Sequence, residues 1–188
     1  MALDTEFDIL IKGGHVVDPA NDVDGVADVA IKDGKIKAVV SELENSKAKN
    51  VVRANNMLVI PGVVDSHAHI ARPKAMGAGF RMLVKEGVTT AVDFEGPMKV
   101  IMDEIRQYGC GLNVAVLEGI WPGRGLSSID APHKEVTDII EASLEQGAIG
   151  VKLLGGHYPL SPETTADIIE TAARELAYVA FHVGSTET

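Results

Sequence analysis

Five apolar runs that do not alternate with polar residues begin at positions 58, 89, 112, 148 and 177. Runs of this kind are strands buried on both faces rather than strands with one wet side. The stretches between them, at 76–86, 98–108, 134–146 and 162–176, carry helical periodicity. A strand, a crossover helix and its loops take roughly thirty residues, and these runs recur at about that spacing. Helix boundaries support the division. Ser161-Pro162-Glu163 supplies a cap, a proline suited to the first helical position and an acid in the first turn. Gly87, Gly109 and Gly147 follow the other three helical stretches as stops. Such a chain is expected to build a parallel α/β sheet.

The first 58 residues read differently. Short strands are interrupted by turn residues, at Lys12-Gly13-Gly14 and at Asp18-Pro19. The segments 28–32 and 35–39 flank Asp33-Gly34, a pair that tolerates the positive φ angles of a type I′ hairpin turn. A small antiparallel, sandwich-like β domain over 1–58 and an α/β domain over 59–188 are therefore expected.

Charge and cysteine content exclude several function classes. Seventeen Lys and Arg against 27 Asp and Glu give a net charge of −10, and no basic cluster is present to neutralise phosphates. A nucleic-acid partner is not expected. One cysteine, Cys110, cannot form an internal disulfide, the first residues lack the form of a signal peptide, and no apolar run approaches a membrane span. The expectation is a cytoplasmic chain without membrane association.

Intervals near thirty residues suit either a doubly wound sheet or a (β/α)8 barrel. The first strand of a dinucleotide-binding sheet would run into Gly-x-Gly-x-x-Gly, whereas here it runs into Asp65-Ser66-His67-Ala68-His69. No Gly-Lys-Ser/Thr phosphate loop occurs either, so the barrel is favoured.

The same strand end carries chemistry. His67 and His69 stand two apart, which puts both imidazoles on one face, a fit for zinc or a similar divalent ion. Lys152 lies within the apolar run Ile149-Gly150-Val151-Lys152-Leu153-Leu154. Either its stem is buried with the ammonium reaching water, or its amine has a lowered pKa and acts as a nucleophile or as a CO2-derived carbamate bridging two metals. His182 closes a further apolar strand. His157, in the loop after Lys152, either meets substrate or faces solvent. Arg72 and Lys74 either read a substrate carboxylate or are solvated loop cations. Trp121 walls the pocket or packs under a helix, and Asp93 and Glu118, at the ends of strands two and three, either face the mouth or are ordinary strand-end acids. His15 and His133 are read as surface residues, and Cys110 as an inert thiol.

Taken in order, these segments resemble the amidohydrolase superfamily, in its dihydroorotase, hydantoinase and N-acyl-amino-acid deacetylase branch. The resemblance rests on Asp8-Ile9-Leu10-Ile11-Lys12-Gly13-Gly14, Val17-Asp18-Pro19 and above all Ile60-Pro61-Gly62-Val63-Val64-Asp65-Ser66-His67-Ala68-His69. It continues through Gly87-Val88-Thr89-Thr90, Gly150-Val151-Lys152-Leu153 and Phe181-His182. It implies that His67 and His69 bind the more buried of two metal ions, that Lys152 is the carboxylated bridge, and that His182 binds the second ion. Asp65 then supports the histidines. The implied reaction is hydrolysis of an amide or cyclic-amide C–N bond in a small molecule by a metal-activated hydroxide. A heterocycle deaminase of the same superfamily is the chemical alternative.

Some features of the branch are missing. Ala71 stands where dihydroorotases carry an arginine, and Phe94-Glu95-Gly96 follows the second strand where they carry an asparagine. The sixth-strand histidine and the eighth-strand aspartate that transfers the proton have no counterpart in the sequence. With the first 58 residues spent on a side sheet, the remainder suffices for strands one to five of a barrel that takes about 250 residues. The expectation is the N-terminal part of a larger enzyme, its open barrel edge covered by a second chain or a further copy. The alternative from another class is a non-catalytic, truncated or split-subunit half.

Overall fold

The structure, a computed structural model, describes residues 5–70 and 76–183. The chain forms two compact units with the boundary after Pro61.

The first unit is one five-stranded sheet built from β1 (Phe7–Asp18), β2 (Val23–Lys32), β3 (Lys35–Val40), β4 (Ala48–Arg53) and β5 (Leu58–Val59). Its order is β3-β2-β1-β4, with β5 also on β1. The expected hairpin is present between β2 and β3, with Asp33 at φ 51° and Gly34 at φ 69° as type I′ geometry requires. The all-antiparallel arrangement expected from the sequence is corrected: β1 pairs antiparallel to β2 but parallel to both β4 and β5. The reason is that the chain leaves β3 by a connection long enough to return in the direction of β1, which a two-residue turn cannot do.

Asp28 anchors this unit. It is 2% exposed and accepts from Lys12 Nζ at 3.0 Å, Gly13 N at 2.8 Å and Leu43 N at 2.7 Å. Burial pushes its carboxyl upward, but the lysine and the two backbone donors outweigh that and hold it below the ordinary value.

The second unit alternates strand and helix. Its elements are β6 (Val63–Ala68), α1 (Ala78–Lys85), β7 (Val88–Asp93), α2 (Met98–Tyr108), β8 (Asn113–Pro122), the short β9 (Gly125–Leu126), α3 (His133–Glu145), β10 (Gly150–Leu153), α4 (Pro162–Arg174) and β11 (Tyr178–Phe181). The apolar run at 58–64 does not form one strand. Pro61 donates no hydrogen bond, and the run is divided between β5 of the first unit and β6 of the second.

The sheet order β11-β10-β8-β7-β6 is parallel throughout, as the recurring apolar runs imply. Its outer face packs on the helices: Ala91 and Val116 with Phe80 and Ile101, and Ile120, Val151 and Leu153 with Val136, Ile140 and Ile168. Its inner face carries Phe94, Leu117 and Ala180. Ser161 caps α4 by accepting from Thr164 N at 3.2 Å. No helix among the described residues is long and apolar enough to cross a membrane.

Candidate metal centre

Side-chain alternation sorts the chemistry-bearing residues onto the inner face of this sheet. Ala68 packs into the helix-covered core, so His67 and His69, one position to either side, turn away from it. Lys152 follows Val151 and precedes Leu153, both of which face the helices. It is therefore directed inward, registered between Gly119 on β8 and Ala180 on β10's other neighbour, β11. Two small residues beside it leave room for a long side chain. His182 continues β11 beyond Ala180 on the same face, its N–H donating to Leu153 O at 2.8 Å.

The register of β6 against β7 shifts between Asp65 and Ala68, a bulge-like irregularity within the histidine stretch itself. Asp65 Oδ1 accepts from His67 N at 3.1 Å across this point. The His67 and His69 rings lie 5.7 Å apart between centroids, at 64°. His67 also stacks on Phe94, with centroids 4.0 Å apart and planes 13° from parallel. Burial first, then the charges of Lys152, His69 and His182, push the His67 pKa below the ordinary imidazole value, against the opposing pull of Asp65. The neutral ring, which is the metal-binding form, is thereby favoured.

Lys152 is 3% exposed. Among the described residues its amine has no hydrogen-bond acceptor, and its nearest ring contact is Phe94, 4.9 Å from Nζ to the centroid. Burial pushes its pKa down, opposed by Glu95. The stem of Lys152 is buried while its amine keeps solvent contact, a geometry that the snorkelling and the reactive-amine readings share. This desolvation favours the neutral amine, which is also the form that reacts with CO2.

In front of these groups lies an open cavity of 470 Å3 lined by His69, Glu95, Leu154, His157, Tyr158 and His182. His157 and His182 approach to 5.1 Å between ring centroids. His69 Nδ1 stands 3.2 Å from Glu95 Oε2. Arg72 and Lys74 lie outside the described residues. Among the described residues, no three His, Cys, Asp or Glu side chains are grouped closely enough to hold a metal ion. A site built on the His67 and His69 pair thus needs a further kind of donor, and a carbamate on Lys152 is chemically suited to be it. On donor chemistry, burial and the unpartnered amine, the residues fit a divalent metal.

The two strand-end acids singled out in the sequence hold the rim together. Asp93, 1% exposed, accepts from Ile70 N at 2.6 Å, Glu95 N at 3.0 Å and Gly96 N at 2.8 Å, tying the segment after His69 to the loop after β7. Glu118 accepts from Met98 N at 2.7 Å at the start of α2 and from Arg124 Nη2 at 2.9 Å. Arg124 Nη2 also donates to Glu95 O at 2.9 Å. Both strand-end acids therefore bind backbone or arginine and do not line the cavity. Glu95 does line it, and the only sequence signal for it was a carboxylate one residue beyond an apolar strand. His15 and His133 are exposed, each 2.6 Å from an aspartate, Asp24 and Asp167.

Comparison with known proteins agrees with the geometry. No family model matches the chain. A dihydroorotase from Elusimicrobium minutum is 34% identical over 156 residues, covering 76% of this chain and 34% of the relative. An allantoinase from Escherichia coli is 38% identical over 92 residues, covering 46% of this chain and 19% of that protein. Among solved structures, the zinc- and phosphonate-complexed N-acyl-D-glutamate deacylase of Bordetella bronchiseptica superposes with a TM-score of 0.79 at 21% identity, over 96% of this chain and 46% of that one. The L-hydantoinase of Arthrobacter aurescens gives a TM-score of 0.72 at 22% identity, over 96% and 42%. The chain spans about a third of the length of that dihydroorotase, and less than half of either structure. Over the N-terminal portion it shares with them, the chain is a relative of the amidohydrolase superfamily.

Proposed function

We propose that this chain contributes the metal-binding half of a hydrolase that cleaves amide or cyclic-amide C–N bonds in small molecules. The observation that carries the reading is Lys152, whose stem is buried and whose amine has no acceptor among the described residues, on the same inner sheet face as His67, His69 and His182. In this reading residues 1–58 form a small β domain, and 59–188 supply the first five strands of a metal-dependent (β/α)8 barrel. His67 and His69 would hold one ion and His182 would contribute to a second, with a carbamate on Lys152 as the further donor. When bound, zinc or a similar divalent ion supplies Lewis acidity, polarising the amide carbonyl and lowering the pKa of a water.

The chain's own residues prepare that chemistry. Phe94 stacks on one face of His67 and holds the ring's orientation. Asp65 fixes the backbone at His67, and Asp93 fixes the backbone just after His69. Arg72 and His157 are candidates for substrate contact, His157 from its place in the cavity wall. The residue that passes the proton to the leaving nitrogen comes from strands beyond these five, supplied by further sequence or by another chain. In support, β6 and β11 each have a sheet neighbour on one side only among the described strands, and Val63, Val64 and Phe181 are exposed there.

Metal analysis of the purified chain after zinc loading in bicarbonate buffer tests the reading. Wild type is expected to retain zinc and Lys152→Ala to lose most of it. Unchanged zinc in Lys152→Ala overturns the assignment.

A further inference from the structure

Among the histidines that line the 470 Å3 cavity, His157 is the one to which the two-ion arrangement gives no metal. Its loop leaves β10 and turns back on β11. His157 N and Tyr158 N both donate to Leu154 O, at 2.9 and 2.7 Å, and Gly156 N donates to His182 O at 3.3 Å. Gly155 permits this approach, because a Cβ there would lie 2.8 Å from the Phe181 ring and 3.2 Å from His182 O. On the other side of His157, Tyr158 stacks on Trp121, with ring centroids 5.0 Å apart and planes 9° from parallel. The Arg124 guanidinium lies over Trp121, 4.4 Å from the ring centroid, and is itself held by Glu118 Oε1 and Glu95 O, both at 2.9 Å. The residues flanking His157 are therefore both fixed, one to the backbone of His182 and the other to a braced aromatic stack.

The result is a second pair of histidines. The rings of His157 and His182 are exposed to the cavity they share, with centroids 5.1 Å apart and planes tilted by 31°. Neither ring has a hydrogen-bond partner among the described residues. Zinc–nitrogen bonds of about 2.0–2.1 Å place each ring centroid about 3.2 Å from the ion, so two ligands at a tetrahedral angle have centroids about 5.2 Å apart. The 5.1 Å pair meets that separation, and more nearly than the 5.7 Å of His67 and His69. A histidine that only contacts substrate needs a place in the cavity wall but no second imidazole beside it.

We infer that His157 is a metal ligand and shares the second ion with His182. The inference deepens the hydrolase reading and rests on it for the presence of a second ion. With a carbamate on Lys152 as third donor, two imidazoles and one open position make the donor set of a catalytic zinc site. His157 then acts through the metal rather than by direct contact with substrate.

The test exchanges the donor atom. In His157→Cys a thiolate replaces the imidazole, and cobalt bound to a thiolate gives a charge-transfer band in the near ultraviolet. The 188-residue chain is loaded with Co2+ in bicarbonate buffer, and the wild type, whose single thiol is Cys110, is the control. The band is expected in His157→Cys and not in wild type. In parallel, zinc retained after gel filtration should fall from about two ions per chain in wild type to about one in His157→Gln. His182→Gln should lose the same ion, so the double variant should lose no more than either single one, and His157→Cys should keep both ions. Absence of the band, unchanged zinc in His157→Gln, or a further loss in the double variant overturns the inference, as does a wild type that retains no zinc. The carbamate can fail separately. Zinc kept in Lys152→Ala together with the cobalt–thiolate band removes the lysine and leaves His157 as a ligand, whereas zinc lost in Lys152→Ala without that band does the reverse.

Discussion

At the residue scale, the energetics turn on polar groups buried with specific partners. Asp93 is the clearest, because its two carboxylate oxygens accept three backbone N–H groups from two loops. Asp93→Asn replaces one acceptor with a donor that faces an N–H, and should cost about 1–3 kcal/mol in chemical denaturation. Because Ile70 follows His69, the same variant should also bind zinc more weakly. Asp28 gives a pH signature to the first unit. Its folded-state carboxyl lies below the unfolded value of 3.8, so its stabilisation is complete above that pH and is lost as pH falls through the lower folded-state value. Asp28→Ala, which leaves two N–H groups without an acceptor and Lys12 with only Leu43 O, should destabilise the protein by about 3 kcal/mol at neutral pH. It should also flatten the acid limb of the stability profile measured by urea unfolding.

At the scale of elements, strand neighbours decide what the inner face can hold. Gly119 is registered beside Lys152, and a Cβ there would lie 2.8 Å from both Glu95 O and the Trp121 ring. Gly119→Ala should therefore lower the thermal midpoint, at a cost of about 1–3 kcal/mol from forced displacement of the loop after β7. Much of this architecture is legible in the sequence. The stretch at 98–108 coincides with α2, and Asp33-Gly34 names its own turn. The division at Pro61 was also written there, in a residue that cannot extend a ladder, but the apolar character of 58–64 masked it. Strand ends carrying His67, Lys152 and His182 stand out because a polar residue closing an apolar run is conspicuous. Glu95, Arg124 and Tyr158 do not stand out. Their roles come from contacts between loops that the chain separates by tens of residues, and local pattern carries no information about such pairings. The parallel placement of β4 and β5 on β1 was hidden for the same reason, since strand direction within a sheet is a property of connections and not of composition.

At the scale of the whole molecule, the second unit is a five-stranded parallel array whose terminal strands each present one unpaired edge among the described strands. Edges of this kind attract further strands, and here they carry exposed Val63, Val64 and Phe181. The chain by itself is accordingly expected to self-associate in a concentration-dependent manner by analytical ultracentrifugation, and Val64→Lys should weaken that association. The central claim is that Lys152 is carboxylated and joins two ions held by His67, His69 and His182. It is tested most directly by 13C NMR of the zinc-loaded chain in 13C-bicarbonate. The account predicts a carbamate carbon signal in the wild type that is absent from Lys152→Ala; zinc bound without any such signal, or a signal that persists in the variant, would contradict it.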